Sequence, residues 1–230
     1  MKLLSDIYAT ITGSKCFICK KEHLSICDDC LKNLPQIDFP FCMGCDLLSI
    51  DGKTHLYCQQ GCYIKNHISS YTYERDVKKL LLIYKKNRSL FNEIQTLIDY
   101  AMKDLTNSIL DVDYIVPFPK TPKIIENGEK SLPELIVNKI HKRYKIRVID
   151  ILAKNSIIKQ KERQSINRSA IKNDIFITPN KLITPQGKTF LVVDDITTTG
   201  SSLRSAADLL MQSGAKYINS YTLVKDLRYN

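Results

Sequence analysis

The stretch Phe190-Leu191-Val192-Val193-Asp194-Asp195-Ile196-Thr197-Thr198-Thr199-Gly200-Ser201-Ser202 decides how the rest of this 230-residue chain is read. Its apolar opening predicts a strand over 189–193, buried on both faces, that delivers Asp194 and Asp195 to its carboxyl end. A turn of hydroxyl residues around Gly200 follows, and a helix is predicted over 202–212. Backbone N–H groups of Thr198, Thr199, Gly200, Ser201 and Ser202 can point into that turn, where the helix amino terminus adds positive potential. A phosphate monoester fits such a cradle. The two carboxylates suit other groups, either vicinal ribose hydroxyls or Mg²⁺ held through water.

A strand ending in two acids also resembles the Walker B segment of a nucleotide hydrolase. That reading needs G-x4-G-K-[ST], and the Gly-Lys-Thr beginning at Gly187 has Leu182 in place of the first glycine and leads into a strand. An aspartyl nucleophile stays open as a third reading. A ligand-free helix cap would account for one hydroxyl, whereas this turn holds Thr197, Thr198, Thr199, Ser201 and Ser202.

Around this stretch, apolar runs alternate with helical patterns: strand 114–116, helix 132–143, strand 146–152, strand 175–178 and strand 217–224. Two amphipathic helices, 74–86 and 90–105, come earlier, the first with Lys78, Lys79, Lys85 and Lys86 around its apolar face. The order predicts an α/β fold with a mainly parallel sheet flanked by helices. Ligands on such sheets bind beyond the carboxyl ends of the strands.

All eight cysteines fall before this region, as Cys16-x2-Cys19-x7-Cys27-x2-Cys30 and Cys42-x2-Cys45-x12-Cys58-x3-Cys62. Cysteine pairs two or three residues apart form knuckles whose thiolates converge, and eight thiolates close two tetrahedral zinc sites, both structural. Sequential and cross-braced pairings both stay open. His23, His55 and His67 lie close by and could replace a thiolate, but with so many thiolates they are expected in solvent. The domains are then a double zinc-ribbon module over 1–66, a helical linker over 67–110 and the α/β domain over 111–230. The module is too small to bury a stabilising core, so metal should supply most of its folding energy, and metal removal should unfold it and leave the second domain largely intact. Phe17, Phe39, Phe41 and Tyr57 could stack on bases, but most are expected in the module's miniature core.

The net charge of +10 and 43% hydrophobic residues exclude disorder, collagen and coiled coil. The longest apolar run near a basic start, 80–84, is far too short to span a membrane, and Asp6 interrupts any signal-like start. A cytoplasmic protein without a membrane span is expected. The charge is concentrated: 139–172 carries eleven Lys/Arg against two Asp/Glu. This stretch reads as a basic loop closing over an anion, as an electrostatic track for a nucleic-acid backbone through Lys139, Lys142, Arg143, Lys145, Arg147, Lys159, Lys161, Arg163 and Arg168, or as a solvated surface.

The stretch 191–202 resembles the signature of type I phosphoribosyltransferases for 5-phosphoribosyl 1-pyrophosphate (PRPP). The resemblance implies ribose contacts from Asp194 and Asp195, a 5′-phosphate on 198–202, Mg²⁺ with the PRPP, and a pyrophosphate loop at Phe118, Pro119 and Lys120. As a whole the chain resembles the ComF family of bacterial competence proteins, which joins a double zinc ribbon to a domain of this type. Tyr73-x11-Lys85 is similar to that family's linker, and Gln160, Arg168 and Phe176 to its central framework. Two positions depart from the pattern: 127–134 lacks an Arg-Gly-Phe-Asn-Gln run, and Ile171 stands where Asn is expected. Thr198 occupies a turn position where purine-using relatives carry a carboxylate. The family implies handling of single-stranded DNA in natural transformation, near DNA-import proteins at the inner face of the bacterial membrane. An active Mg-dependent phosphoribosyltransferase with an unnamed acceptor is the alternative.

Overall fold

The computed structural model describes residues 13–103, 105–154, 175–178 and 184–227. Its core is a five-stranded, all-parallel sheet of β1 (Ile64–Thr72), β2 (Tyr114–Pro117), β3 (Arg147–Val148), β6 (Thr189–Thr197) and β7 (Tyr217–Lys225), ordered β1-β7-β6-β2-β3. A separate antiparallel pair joins β4 (Leu152–Lys154) to β5 (Ile175–Ile177). The α/β class with a Cys-rich module in front is as expected.

Strand alternation divides the core into two layers. Along β6, Leu191 and Val193 face one side of the sheet and Phe190 and Val192 the other, all fully buried. The first side is covered by α2 (Arg75–Asn87), α3 (Phe91–Ala101) and α6 (Leu132–Tyr144), and the second by α7 (Ser201–Gln212). These helices bury residues at 3.6-residue spacing, such as Val77, Leu80, Leu81 and Tyr84 on α2. A capping box, Ser131 with Glu134, starts α6 beside the carboxyl end of β2. Among the described residues there are also three short α-helices, α1 (Asp28–Lys32), α4 (Asn107–Leu110) and α5 (Pro122–Glu126), and two 3-10 turns, Ile50–Gly52 and Leu56–Cys58. No helix is long and apolar enough to cross a membrane, among the described residues.

Three elements differ from expectation. The strand expected over 146–152 is split: Arg147–Val148 is a short exposed edge strand, and after Asp150 the chain leaves the sheet to start β4. Ile149, Ile151 and Leu152 are buried in the second layer; Ile149 N–H still donates to Ile115 O (3.0 Å), and Leu152 pairs with Ile177 in the separate two-stranded sheet. Strand β6 runs to Thr197, past the expected end at Val193, because its carboxyl half stays paired with β7 through Thr197 and Lys225. The stretch expected as a helical linker from residue 67 opens with most of β1, which pairs with β7.

Strand β1 escaped notice because it is polar where it is buried. Asn66 donates to Asn219 Oδ1 (3.0 Å), and Ser69 and Thr222 hydroxyls lie 2.6 Å apart. His67 sits between Ser220 Oγ (2.8 Å) and Ser69 Oγ (2.9 Å). The ladder pairs these groups, which would be costly if buried alone, except Asn66 Oδ1, which is buried without a hydrogen-bond partner. His67, expected in solvent, is 1% exposed, and burial, with Lys225 nearby, pushes its pKa down to about 3. The imidazole is therefore neutral.

Candidate functional site

Strand β6 carries Asp194 and Asp195 to the carboxyl edge of the sheet, and Gly200 caps α7 with a left-handed φ of 72°. Asp194, Thr197, Thr198, Gly200, Ser201 and Ser202 line a cavity of about 40 Å³, enough for a small anion's oxygens and no larger ligand. The turn and the acidic pair are brought together. Asp194 accepts from the Asp195 N–H and Asp195 from the Ile196 N–H, both at 2.8 Å. Burial and the adjacent Asp195 raise the Asp194 pKa to about 8, so its carboxyl holds a proton at neutral pH.

Beside the pair opens a cleft of about 510 Å³, lined also by Phe118, Pro119, Lys120, Lys123 and Lys154. Phe118 is anchored by its N–H to Val193 O (2.7 Å), which places the proposed pyrophosphate loop against β6. Lys120 pairs with Glu134 at 2.9 Å. From the other side α2 contributes Lys85, whose ammonium is 2.7 Å from Asp195 Oδ2, together with Lys86 and Arg88. Sequence reasoning placed Lys85 on a basic helix face and in a linker motif, but not at the site. Nothing local in the sequence says that α2 ends at the edge of β6.

The basic candidates do not gather here. Lys139 pairs with Asp99 (2.6 Å) on the flank of α6. Lys142, Arg143, Lys145 and Arg147 are exposed and run away from the cleft, and Arg147 pairs with Tyr114 at the amino ends of the strands, opposite Asp194. Lys159, Lys161, Arg163 and Arg168, with Gln160 and Ile171, lie outside the described residues.

The cysteines form two groups whose donor atoms lie within 4.8 Å of one another: Cys16, Cys19, Cys27 and Cys30, and Cys42, Cys45, His55 and Cys58. Around a tetrahedral zinc with bonds of about 2.3 Å, sulfurs stand about 3.8 Å apart. Cys19 and Cys27 Sγ are 3.7 Å apart, and Cys45 Sγ is 3.3 Å from His55 Nδ1, so both donor sets fit zinc. The pairing is sequential, but His55 stands where Cys62 was expected. Cys62 is 2% exposed among Met43, Ile64 and Val192, carried there by the chain as it enters β1. The two knuckles repeat one geometry: Lys20 and Asp46 N–H groups donate to Cys16 and Cys42 carbonyls, and both residues are left-handed (φ 63° and 62°). Of the module's aromatics, Phe39 and Tyr57 are each 68% exposed, while Phe17 and Phe41 are half-buried.

A test of the turn follows from Gly200. A Cβ there would add a left-handed strain of about 1–2 kcal/mol and sit 2.4 Å from Met43 Cε. Gly200→Ala should lower stability by about that amount in urea unfolding. Unchanged stability would mean that the turn tolerates a right-handed cap.

Residues 134–229 match the phosphoribosyl transferase domain. Competence protein ComFC of Streptococcus pneumoniae is 22% identical over 218 residues, covering 94% of either chain. Among solved structures, a hypoxanthine phosphoribosyltransferase from Staphylococcus aureus aligns at TM-score 0.37 and 14% identity over 60% of this chain and 74% of that one. The allosteric regulatory enzyme of purine biosynthesis aligns at TM-score 0.35 and 16% identity over 56% of this chain. The present chain spans 24% of that enzyme's length.

Proposed function

We propose that this ComFC-like chain, through its phosphoribosyl transferase domain, binds Mg-complexed PRPP or another ribose 5-phosphate and handles incoming single-stranded DNA in natural transformation. The observation that carries the reading is the acidic pair and the phosphate turn at one strand end, opening into a cation-lined cleft. The carboxylates suit free vicinal hydroxyls, and an internal nucleotide of DNA offers none. DNA is therefore assigned to the exposed cations Lys142, Arg143, Lys145 and Arg147, apart from the cleft, as salt-dependent backbone contacts.

Lys85 supports the ligand's chemistry. Paired with Asp195 in the free protein, its ammonium can turn to the pyrophosphate when Mg²⁺ and ribose occupy the acidic pair. A charge-assisted hydrogen bond outweighs a half-exposed ion pair, so Lys85→Met should weaken Mg-PRPP binding about tenfold by calorimetry. An unchanged Kd would make Lys85 a partner of Asp195 only. For DNA, the test is anisotropy of a labelled single-stranded oligonucleotide at two salt concentrations, with and without Mg-PRPP. Salt-sensitive binding supports the reading; absence of binding at low salt removes its DNA half.

A second reading, phosphoribosyl transfer, is favoured by a neighbouring cavity of about 280 Å³ beside Phe118 and Lys120, lined also by Glu134, Asp150 and Leu152. An acceptor there would form a bond to ribose C1 as the C1–O bond to pyrophosphate breaks. Release of pyrophosphate that depends on an added acceptor would establish it.

A further inference from the structure

We propose that the Cys42–Cys45 knuckle is a latch that positions the phosphate turn, acting through Met43, Asp46, Arg204 and Lys225. The inference rests on reading 198–202 as the phosphate site.

Lys225 ends β7 and is 2% exposed. Burying an ammonium is costly unless it is paired. Its Nζ donates to Asp46 Oδ1 (2.5 Å) and to Thr198 O (3.4 Å), and lies 5.3 Å from the Phe41 ring centroid. The lysine thus ties the first residue of the turn to a residue that directly follows Cys45. The left-handed φ of Asp46, 62°, belongs to the knuckle fold, so the knuckle aims that carboxylate.

A second tie runs beside it. Arg204, in the first turn of α7, donates from Nη1 to Met43 O (2.8 Å). Met43, between Cys42 and Cys45, is 5% exposed and rests its methyl where a Gly200 side chain would begin. Thr198, Gly200 and Arg204 are therefore all held by one metal-binding loop. Four thiolate and imidazole donors fix that loop when metal is bound, so loosening it frees the turn at both ends. By linkage, a phosphate ligand that needs the ordered turn should in return slow metal loss from this site.

Hydrogen exchange of the full-length, zinc-loaded protein tests the latch without any ligand. Asp46→Asn, an exposed change, and Arg204→Gln should each speed exchange of amides 198–204 at least tenfold while α3 amides stay protected. Lys225→Met should do the same, and Lys225→Arg should restore protection, which a purely packing role would not. Unchanged exchange at 198–204 in both Asp46→Asn and Arg204→Gln overturns the proposal. In the same variants, calorimetry with Mg-PRPP should show affinity reduced about tenfold, and Mg-PRPP should slow zinc transfer to a chromogenic chelator at least threefold in the wild type. If the wild type binds no PRPP while the exchange changes appear, the proposed ligand fails and the latch stands. If the wild type binds PRPP and the variants bind it equally well, the latch fails and the ligand stands.

Discussion

Chelation of zinc should lower the main thermal unfolding transition of the whole chain by at least about 10 °C, and not merely melt the amino-terminal module. The composition boundary after Cys62 suggests separable parts, but the packing does not. Cys16, Ile26, Leu31 and Leu34 lie in the same buried layer as Tyr71, Val77, Leu80 and Leu223. Met43 and Cys62 lie in the other layer with Val192 and Leu203. Structural zinc contributes on the order of 10–16 kcal/mol of apparent binding energy per site, against about 5–15 kcal/mol for a whole domain. Losing even part of it would uncover both faces of the sheet, and for a chain of this size each kcal/mol moves Tm by roughly 2–4 °C. Calorimetric scans with and without chelator check this. A main transition within a degree or two of its original position, with a small separate early one, would show that the two parts fold independently.

Asp194→Asn should make the protein more stable at pH 8 while weakening Mg-PRPP binding about a hundredfold, the loss expected from two charge-assisted hydrogen bonds. Burial and Asp195 raise the Asp194 pKa to about 8 in the folded protein. Between about pH 4 and 8 the folded state thus keeps a proton that the unfolded state has released, so stability falls as pH rises, by at most about 1.4 kcal/mol per unit. His67 acts with opposite sign. Its folded pKa, pushed down to about 3, lies below the unfolded value, and stability falls as pH drops from about 6.5 toward 3. The two slopes offset one another between about pH 4 and 6.5, leaving a net decline from about 6.5 to 8 in the wild type. The asparagine variant should instead gain stability up to about pH 6.5 and then level off. Tm measured from pH 5 to 8.5 separates the curves; parallel curves would place the Asp194 carboxyl in its ionised form. Binding that strengthens with pH up to 8 in the wild type, with proton release, is the companion result.

The site core was legible because its signal is local. Two acids at the end of an apolar strand, then five hydroxyls and a glycine, can be read without knowing any other part of the chain. The remainder depends on distance in space. Lys85 reaches Asp195 across 110 positions of sequence, and only the packing of α2 beside β6 brings them together. Strand β1 was invisible because alternation was sought in apolar residues, whereas Asn66, His67, Ser69 and Ser70 are buried against polar partners on β7. Spacing named the second metal group to within one ligand: a cysteine four residues after Cys58 looks like a knuckle until the chain entering β1 carries its sulfur into the core. The split falls at Asp150, the second charged residue, after Arg147, in the otherwise apolar run 146–152.

Strand β1 is an outer strand of the sheet, and the side turned away from β7 carries backbone groups that could recruit another chain. The module covers that side: Ile37 N–H donates to Ser70 O (3.0 Å), Thr72 N–H to Pro35 O (2.9 Å) and Thr54 N–H to Lys65 O (2.9 Å). Metal supply is then also a matter of colloidal fate. A chain synthesised under zinc starvation would present a nine-residue unprotected template, and self-association or proteolysis would remove it before any missing activity was felt.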